Sequence, residues 1–318
     1  MVHCFAIRHS LFATRYLPLL EDLVDKHDQD WTSAFARSTQ FSRRGFAGTS
    51  LVAGFTLCTG ALNAATIVTD SNGLDAGEVK VPVSDGQIPT YRAKPHGKVN
   101  LPLVLVVQEV FGIHEHIRDI CRRFAKLGHY AIAPSLYARY GDPGKYDLNS
   151  VQQLFTNIVS KVPDSEVMSD LDASVKFASG DGADAKRLGI TGFCWGGRIV
   201  WLYAAHNPNL KAAVAWYGQL RGPVPPNPLR QKYPLDLVSE LHAPVLGFYG
   251  GQDKGIPVSD VEAMRAALAQ AGKRNCRLEV FMDAGHGFFA DYRSSYNEKD
   301  AKQGWRELLA WFRKYGVD

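Results

Sequence analysis

The sequence predicts an α/β domain: a mostly parallel sheet with helices on both faces. From residue 78 onward, short apolar runs alternate with amphipathic stretches, the order that builds strand–helix–strand units. Several of the runs are continuously apolar, as in strands buried on both faces. One run is followed directly by a glycine-rich turn that opens a helical pattern.

Taken in order, the first expected strand, residues 79–83, alternates valine with Lys80 and Pro82. The strands expected at 101–107, 130–133, 188–191, 212–216, 245–249 and 277–281 are short and rich in Val, Leu, Ile, Ala or aromatics, residues that suit a buried sheet. Helices are expected at 117–127, 151–160, 167–178, 198–206, 258–271 and 299–315, where apolar positions recur at helical spacing. The proline-rich stretch 222–234 reads as a surface excursion within one domain. Arg118, Arg122 and Arg123 read as the solvated face of a helix.

Composition narrows the class. The chain has 318 residues, 46% hydrophobic and 21% charged, which excludes disordered and collagen-like proteins. A net charge of +4 without a basic run excludes an evident nucleic-acid surface. Five scattered cysteines (Cys4, Cys58, Cys121, Cys194, Cys276) are too few for a disulfide framework or a zinc site.

Residues 1–65 read as a leader. Ser42-Arg43-Arg44-Gly45-Phe46 precedes an apolar run from Thr49 to Leu62 and then Asn63-Ala64-Ala65, the pattern of a twin-arginine export signal. The run is too short and too rich in Gly and Thr to span a bilayer. Membrane contact is therefore expected only during export, and the expected location is the periplasm, or the cytoplasm if the leader is inactive. Forty residues precede the arginine pair, with an acidic stretch from Glu21 to Asp30. An initiation site annotated too far upstream would account for them.

The chemistry concentrates after the expected strands. Gly192-Phe193-Cys194-Trp195-Gly196-Gly197 follows the run 188–191 and opens a helix, a nucleophile elbow with Cys where Ser is commoner. Its glycines permit a sharp turn, and the helix amino terminus favours a thiolate. Asp253 follows the run 245–249, and His286 follows the run 277–281. In an open parallel sheet the carboxyl ends of strands share one edge, so Cys194, Asp253 and His286 should meet there. Nucleophile, acid, base is also the chain order of α/β hydrolases. The imidazole would take the thiol proton and the Asp would hold its tautomer. The N–H groups of Val110 and Trp195 are placed for an oxyanion. Glu109, in Gln108-Glu109-Val110-Phe111-Gly112, lies at the same edge as a thiol partner or a surface carboxylate. Phe111, Tyr137, Phe288 and Phe289 read as pocket lining or as ordinary core.

These segments, with Ala133-Pro134-Ser135-Leu136-Tyr137-Ala138-Arg139 and Ala284-Gly285-His286-Gly287-Phe288, resemble the dienelactone hydrolase (carboxymethylenebutenolidase) family over nearly all of residues 78–316. The resemblance implies an α/β-hydrolase fold, ester or lactone hydrolysis of a small molecule, and no metal or organic cofactor. By it Cys194 is nucleophile, His286 base and Asp253 orienter, and Glu109 pairs with the resting Cys194 thiol until substrate displaces it. The family holds its substrate carboxylate with two arginines. Here no Arg occurs between Arg139 and Arg187, and Ala290 stands four residues after His286. Arg293 is the nearby replacement. The alternative reading, from another class, is a small-molecule binding protein that uses the fold without turnover. The sequence is silent on oligomeric state.

Overall fold

The computed structural model describes residues 66–222, 227–230 and 232–318; the leader with its twin-arginine pattern lies outside them. Eight strands form one sheet: β1 (Leu74–Val83), β2 (Gly86–Pro95), β3 (Leu101–Val107), β4 (Tyr130–Pro134), β5 (Ala183–Phe193), β6 (Ala212–Trp216), β7 (Val245–Gly250) and β8 (Arg277–Phe281), in the order β1-β2-β4-β3-β5-β6-β7-β8. The pairs from β4 to β8 are parallel. The hairpin β1–β2 joins antiparallel at one edge.

β2 is absent from the sequence-based expectation. Gly86–Pro95 carries Pro89, Pro95, Arg92 and Lys94 and has no apolar run. Proline argues against a central strand, but here the segment is held by register with β1 and by Thr90–Ala93 against β4. Every residue of β3, β4, β6 and β7 is buried, which explains why those runs read clearly in sequence.

The helices are α1 (Glu115–Lys126), α2 (Val151–Asn157), α3 (Asp164–Gly180), α4 (Trp195–His206), α5 (Val258–Gln270) and α6 (Glu298–Lys314). α1 and α6 pack over one face, with Phe124 against Trp305 and Phe312. α3 and α4 pack together over the other, and α4 and α5 flank a 3-10 turn at Pro234–Glu240. The chain leaves β3 outward to β4, then crosses back to β5. Such a switch point opens a crevice at the carboxyl edge of the sheet.

The arginine face of α1 is a correction. Arg122 and Arg123 are each only 7% exposed. The lead-in before β1 reaches the helix: Thr69 N–H donates to Asp119, and Arg122 Nε donates to the Thr69 carbonyl at 2.7 Å. Arg123 bridges Asp119 and Asp291. Chain segments distant in sequence cover this face, so the helical pattern alone misreads it as solvated. Among the described residues of the 222–234 stretch, Arg230, Tyr233 and Pro234 are buried and Leu229 is exposed.

Candidate active site

Cys194 sits between β5 and α4 with φ 56° and ψ −116°, a left-handed backbone that is strained for a residue with a Cβ. Close approach explains the glycines that follow. A Cβ on Gly196 would lie 2.5 Å from the Gln108 carbonyl oxygen, and one on Gly197 would lie 2.4 Å from the Trp216 carbonyl oxygen. Cys194 N–H donates to that same Trp216 carbonyl at 3.0 Å. The elbow is thus wedged between β3 and β6. Gly197→Ala should cost about 1–3 kcal/mol through forced backbone displacement; an unchanged thermal midpoint would contradict this close contact.

Asp253 follows β7, and its loop fixes it. Oδ1 accepts from the N–H groups of Gly255 (2.8 Å) and Ile256 (3.1 Å). Oδ2 faces His286 Nδ1 at 2.7 Å, which assigns the Nδ1–H tautomer. The Cys194 thiol lies within hydrogen-bonding reach of the same imidazole. Burial disfavours a charged His286, yet Cys194 and Asp253 outweigh it and push its pKa up to about 10. The structure therefore brings together Cys194, His286 and Asp253. Among the described residues, neither the Val110 nor the Trp195 main-chain N–H finds an acceptor.

Glu109 departs from the resemblance. It is fully buried, but its partners are not the thiol. Tyr292 donates its hydroxyl to Oε2 at 2.6 Å, Arg293 Nη2 lies 3.2 Å from Oε1, and His114 Nε2 lies 3.4 Å from Oε2. Arg293 Nε also donates to the Tyr292 hydroxyl. Burial would push Glu109 up, but Arg293 and His114 hold it well below the usual carboxylate range. Burial pushes His114 down. Glu109 is thus a clamped anion, and Arg293, already paired with it, is not an open anion site.

Phe288 and Phe289, read as pocket lining or as ordinary core, are buried in the core. Phe289 stacks on Phe193 and packs at a tilt against Trp216, and Phe288 packs at a tilt against Phe281 and Trp216. Phe111 lies under the Arg293 guanidinium, 5.4 Å from its centre. Tyr137 is fully buried with its ring 5.0 Å from that of Trp195.

Sequence reasoning missed Tyr217 and Tyr292. Tyr217 directly follows β6 with φ 38°, and its ring meets the His286 ring edge-on at 5.1 Å. Its buried hydroxyl has no hydrogen-bond partner among the described residues. Its position just past a strand end was the available signal. Nothing local marked Tyr292, whose partner Glu109 is 183 residues away.

A cysteine at a strained strand-to-helix elbow on the carboxyl edge of a mostly parallel sheet, with an Asp–His pair supplied after later strands, fits the α/β-hydrolase fold class. Within it, the sequence profile of the Dienelactone hydrolase family matches residues 88–316, and the chain belongs to that family. It is 56% identical over 292 residues to a Methylorubrum extorquens protein provisionally named a carboxymethylenebutenolidase, covering 91% of this chain and 98% of that one. An Escherichia coli protein with the same provisional name is 49% identical over 269 residues, covering 84% and 97%. A crystal structure from Klebsiella pneumoniae, provisionally named a dienelactone hydrolase, superposes with a TM-score of 0.72 at 52% identity, covering 76% of this chain and 99% of that one.

Proposed function

We propose that this chain hydrolyses esters or lactones of small molecules through a Cys194 thiolate. The observation that carries the reading is Cys194 on its strained elbow, in reach of an imidazole that Asp253 holds at 2.7 Å. The names of the relatives support lactone chemistry.

In this reading the thiolate attacks the carbonyl carbon while Val110 and Trp195 N–H groups receive the developing oxyanion. Collapse breaks the C–O bond, and His286 gives its proton to the departing alkoxide, leaving a thioester on Cys194. Water then loses a proton to His286, attacks the thioester, and returns the thiolate. Because Tyr292 and Arg293 occupy Glu109, Cys194 pairs with His286 before substrate arrives, not only after displacement of Glu109. The Ser42–Phe46 pattern supports an exported protein.

Peptide-resolved alkylation of Cys194 by iodoacetamide, from about pH 5 to about pH 10, tests the pairing. A His286 pKa raised toward 10 keeps the imidazolium charged through neutral pH. At neutral pH, alkylation of Cys194 should be faster in the wild type than in His286→Ala, which lacks the imidazole that takes the thiol proton. Alkylation should also remove turnover of 4-nitrophenyl acetate. Superimposable profiles, or full activity after modification, would sink the proposal.

A further inference from the structure

Tyr217 combines a strained backbone, a locked ring and an idle hydroxyl beside the nucleophile. Its φ of 38° is a left-handed conformation that costs a residue with a Cβ and persists only where the surroundings enforce it. They do so here: Tyr217 N–H donates to the Phe248 carbonyl at 2.7 Å, and a Cβ on the next residue, Gly218, would lie 2.2 Å from the Gly197 carbonyl carbon. The ring is held among Phe193, Phe288 and His286, with centroids 6.4, 5.4 and 5.1 Å away. The side chain is fully buried, yet its hydroxyl finds no hydrogen-bond partner among the described residues. Phenylalanine would pack as well without an unpaired polar group, which interiors rarely keep. The oxygen is what needs a reason.

The chemistry proposed for Cys194 supplies one. When a thiolate adds to an ester carbonyl, the adduct can expel either the sulfur or the ester oxygen. An alkoxide is a far stronger base than a thiolate, so the adduct reverts unless the ester oxygen is hydrogen-bonded or protonated as its C–O bond lengthens. The Tyr217 ring lies against the imidazole that gives its proton to that oxygen, and its hydroxyl is within electrostatic reach of Cys194. Its other charged neighbours, Glu109 and Arg293, are already paired with each other, and Tyr292 already donates to Glu109. Burial pushes the Tyr217 hydroxyl well above the usual phenol range, so it stays a donor and does not compete as a base.

We infer that the Tyr217 hydroxyl is a catalytic hydrogen-bond donor to the leaving oxygen of the ester or lactone that Cys194 attacks. The inference rests on the hydrolase reading above. As the C–O bond breaks, its electron pair goes to the ester oxygen and His286 transfers a proton there. Tyr217 keeps its own proton and donates a hydrogen bond to the same oxygen. The carbonyl oxygen is a different atom, assigned in that reading to the Val110 and Trp195 N–H groups.

Tyr217→Phe is compared with the wild type on three acetyl donors: phenyl acetate, 4-nitrophenyl acetate and S-phenyl thioacetate. The ratio kcat/KM reports the steps up to departure of the leaving group, so an effect on the later attack of water does not enter it. On phenyl acetate it should fall by on the order of 10²-fold, the scale for losing one donor to developing charge. On 4-nitrophenyl acetate, whose phenoxide is a weak base, and on the thioacetate, whose sulfur is a weak acceptor, it should fall by less than about threefold. The thermal midpoint should hold, because only an unpartnered oxygen is removed. Equal losses on all three substrates, as a disturbed fold would give, or no loss on phenyl acetate, overturn the inference. So does a wild type that cleaves 4-nitrophenyl acetate but not phenyl acetate. If Tyr217→Phe fails to fold, 3-fluorotyrosine placed at position 217 decides: it keeps the packing and strengthens the donor. It should raise turnover of phenyl acetate relative to the thioacetate, and an unchanged ratio overturns the inference equally. Failure of the hydrolase reading shows separately, as absence of Cys194-dependent turnover of 4-nitrophenyl acetate, and takes the inference with it.

Discussion

Cys194→Ala is expected to lower hydrolysis of an activated ester by on the order of 10⁴-fold or more, because the proposed mechanism then lacks its nucleophile. The fold should be unaffected. The elbow is held by main-chain bonds, Cys194 N–H to Trp216 and Arg198 N–H to the Cys194 carbonyl, and alanine keeps the Cβ that already tolerates φ 56°. Initial rates with 4-nitrophenyl acetate, read beside the thermal midpoint, separate a lost nucleophile from a lost fold. A variant that keeps a tenth of the wild-type rate in a homogeneous preparation would end the thiol mechanism. On the proposed mechanism, any residual catalysis would come from the oxyanion donors and substrate binding alone.

The second large effect concerns stability. Asp291 is 1% exposed and takes His116 Nδ1 at 2.9 Å, Arg123 Nη2 at 2.9 Å and the Ile67 N–H at 3.2 Å. Asp291→Asn removes one of the two carboxylate charges around Arg123, the other being Asp119, and the charge facing His116, and is expected to cost about 3–5 kcal/mol, as for breaking a buried ion pair. For a domain of this size that corresponds to a fall in thermal midpoint of roughly 10 °C. Burial would push the Asp291 pKa up, but His116 and Arg123 hold it down to about 2. A carboxyl with a depressed folded value contributes its stability fully above the unfolded value of 3.8 and loses it as pH falls toward 2. The wild type should therefore lose about 2 kcal/mol over that window from this group, and Asp291→Asn should show a shallower acid slope. Equal midpoints at pH 7 and equal acid slopes would remove Asp291 as a structural anchor. The anchor also bears on the site, since Asp291 fixes the chain immediately before Tyr292 and Arg293, which clamp Glu109.

What the sequence determined by itself was the part written in short-range pattern. The fully buried runs of β3, β4, β6 and β7 announced a parallel sheet. The Gly-Phe-Cys-Trp-Gly-Gly turn announced an elbow, because its glycines are demanded by contacts the turn makes wherever it occurs. Asp253 and His286 were legible because loops after parallel strands open on one edge. The tertiary structure decided which partner each charged group takes. Glu109 turned to Tyr292 and Arg293 rather than to the thiol; Arg122 and Arg123 were buried by the lead-in at Thr69 and by Asp291; and Arg230 came in from a proline-rich excursion to lie near Tyr137. Even β2 is a strand by virtue of its neighbours. The physical reason is common to all four. Local propensity and periodicity act over a few residues, whereas the free energy of a buried charge depends on which opposite charge the fold brings within a few ångströms, from any distance along the chain.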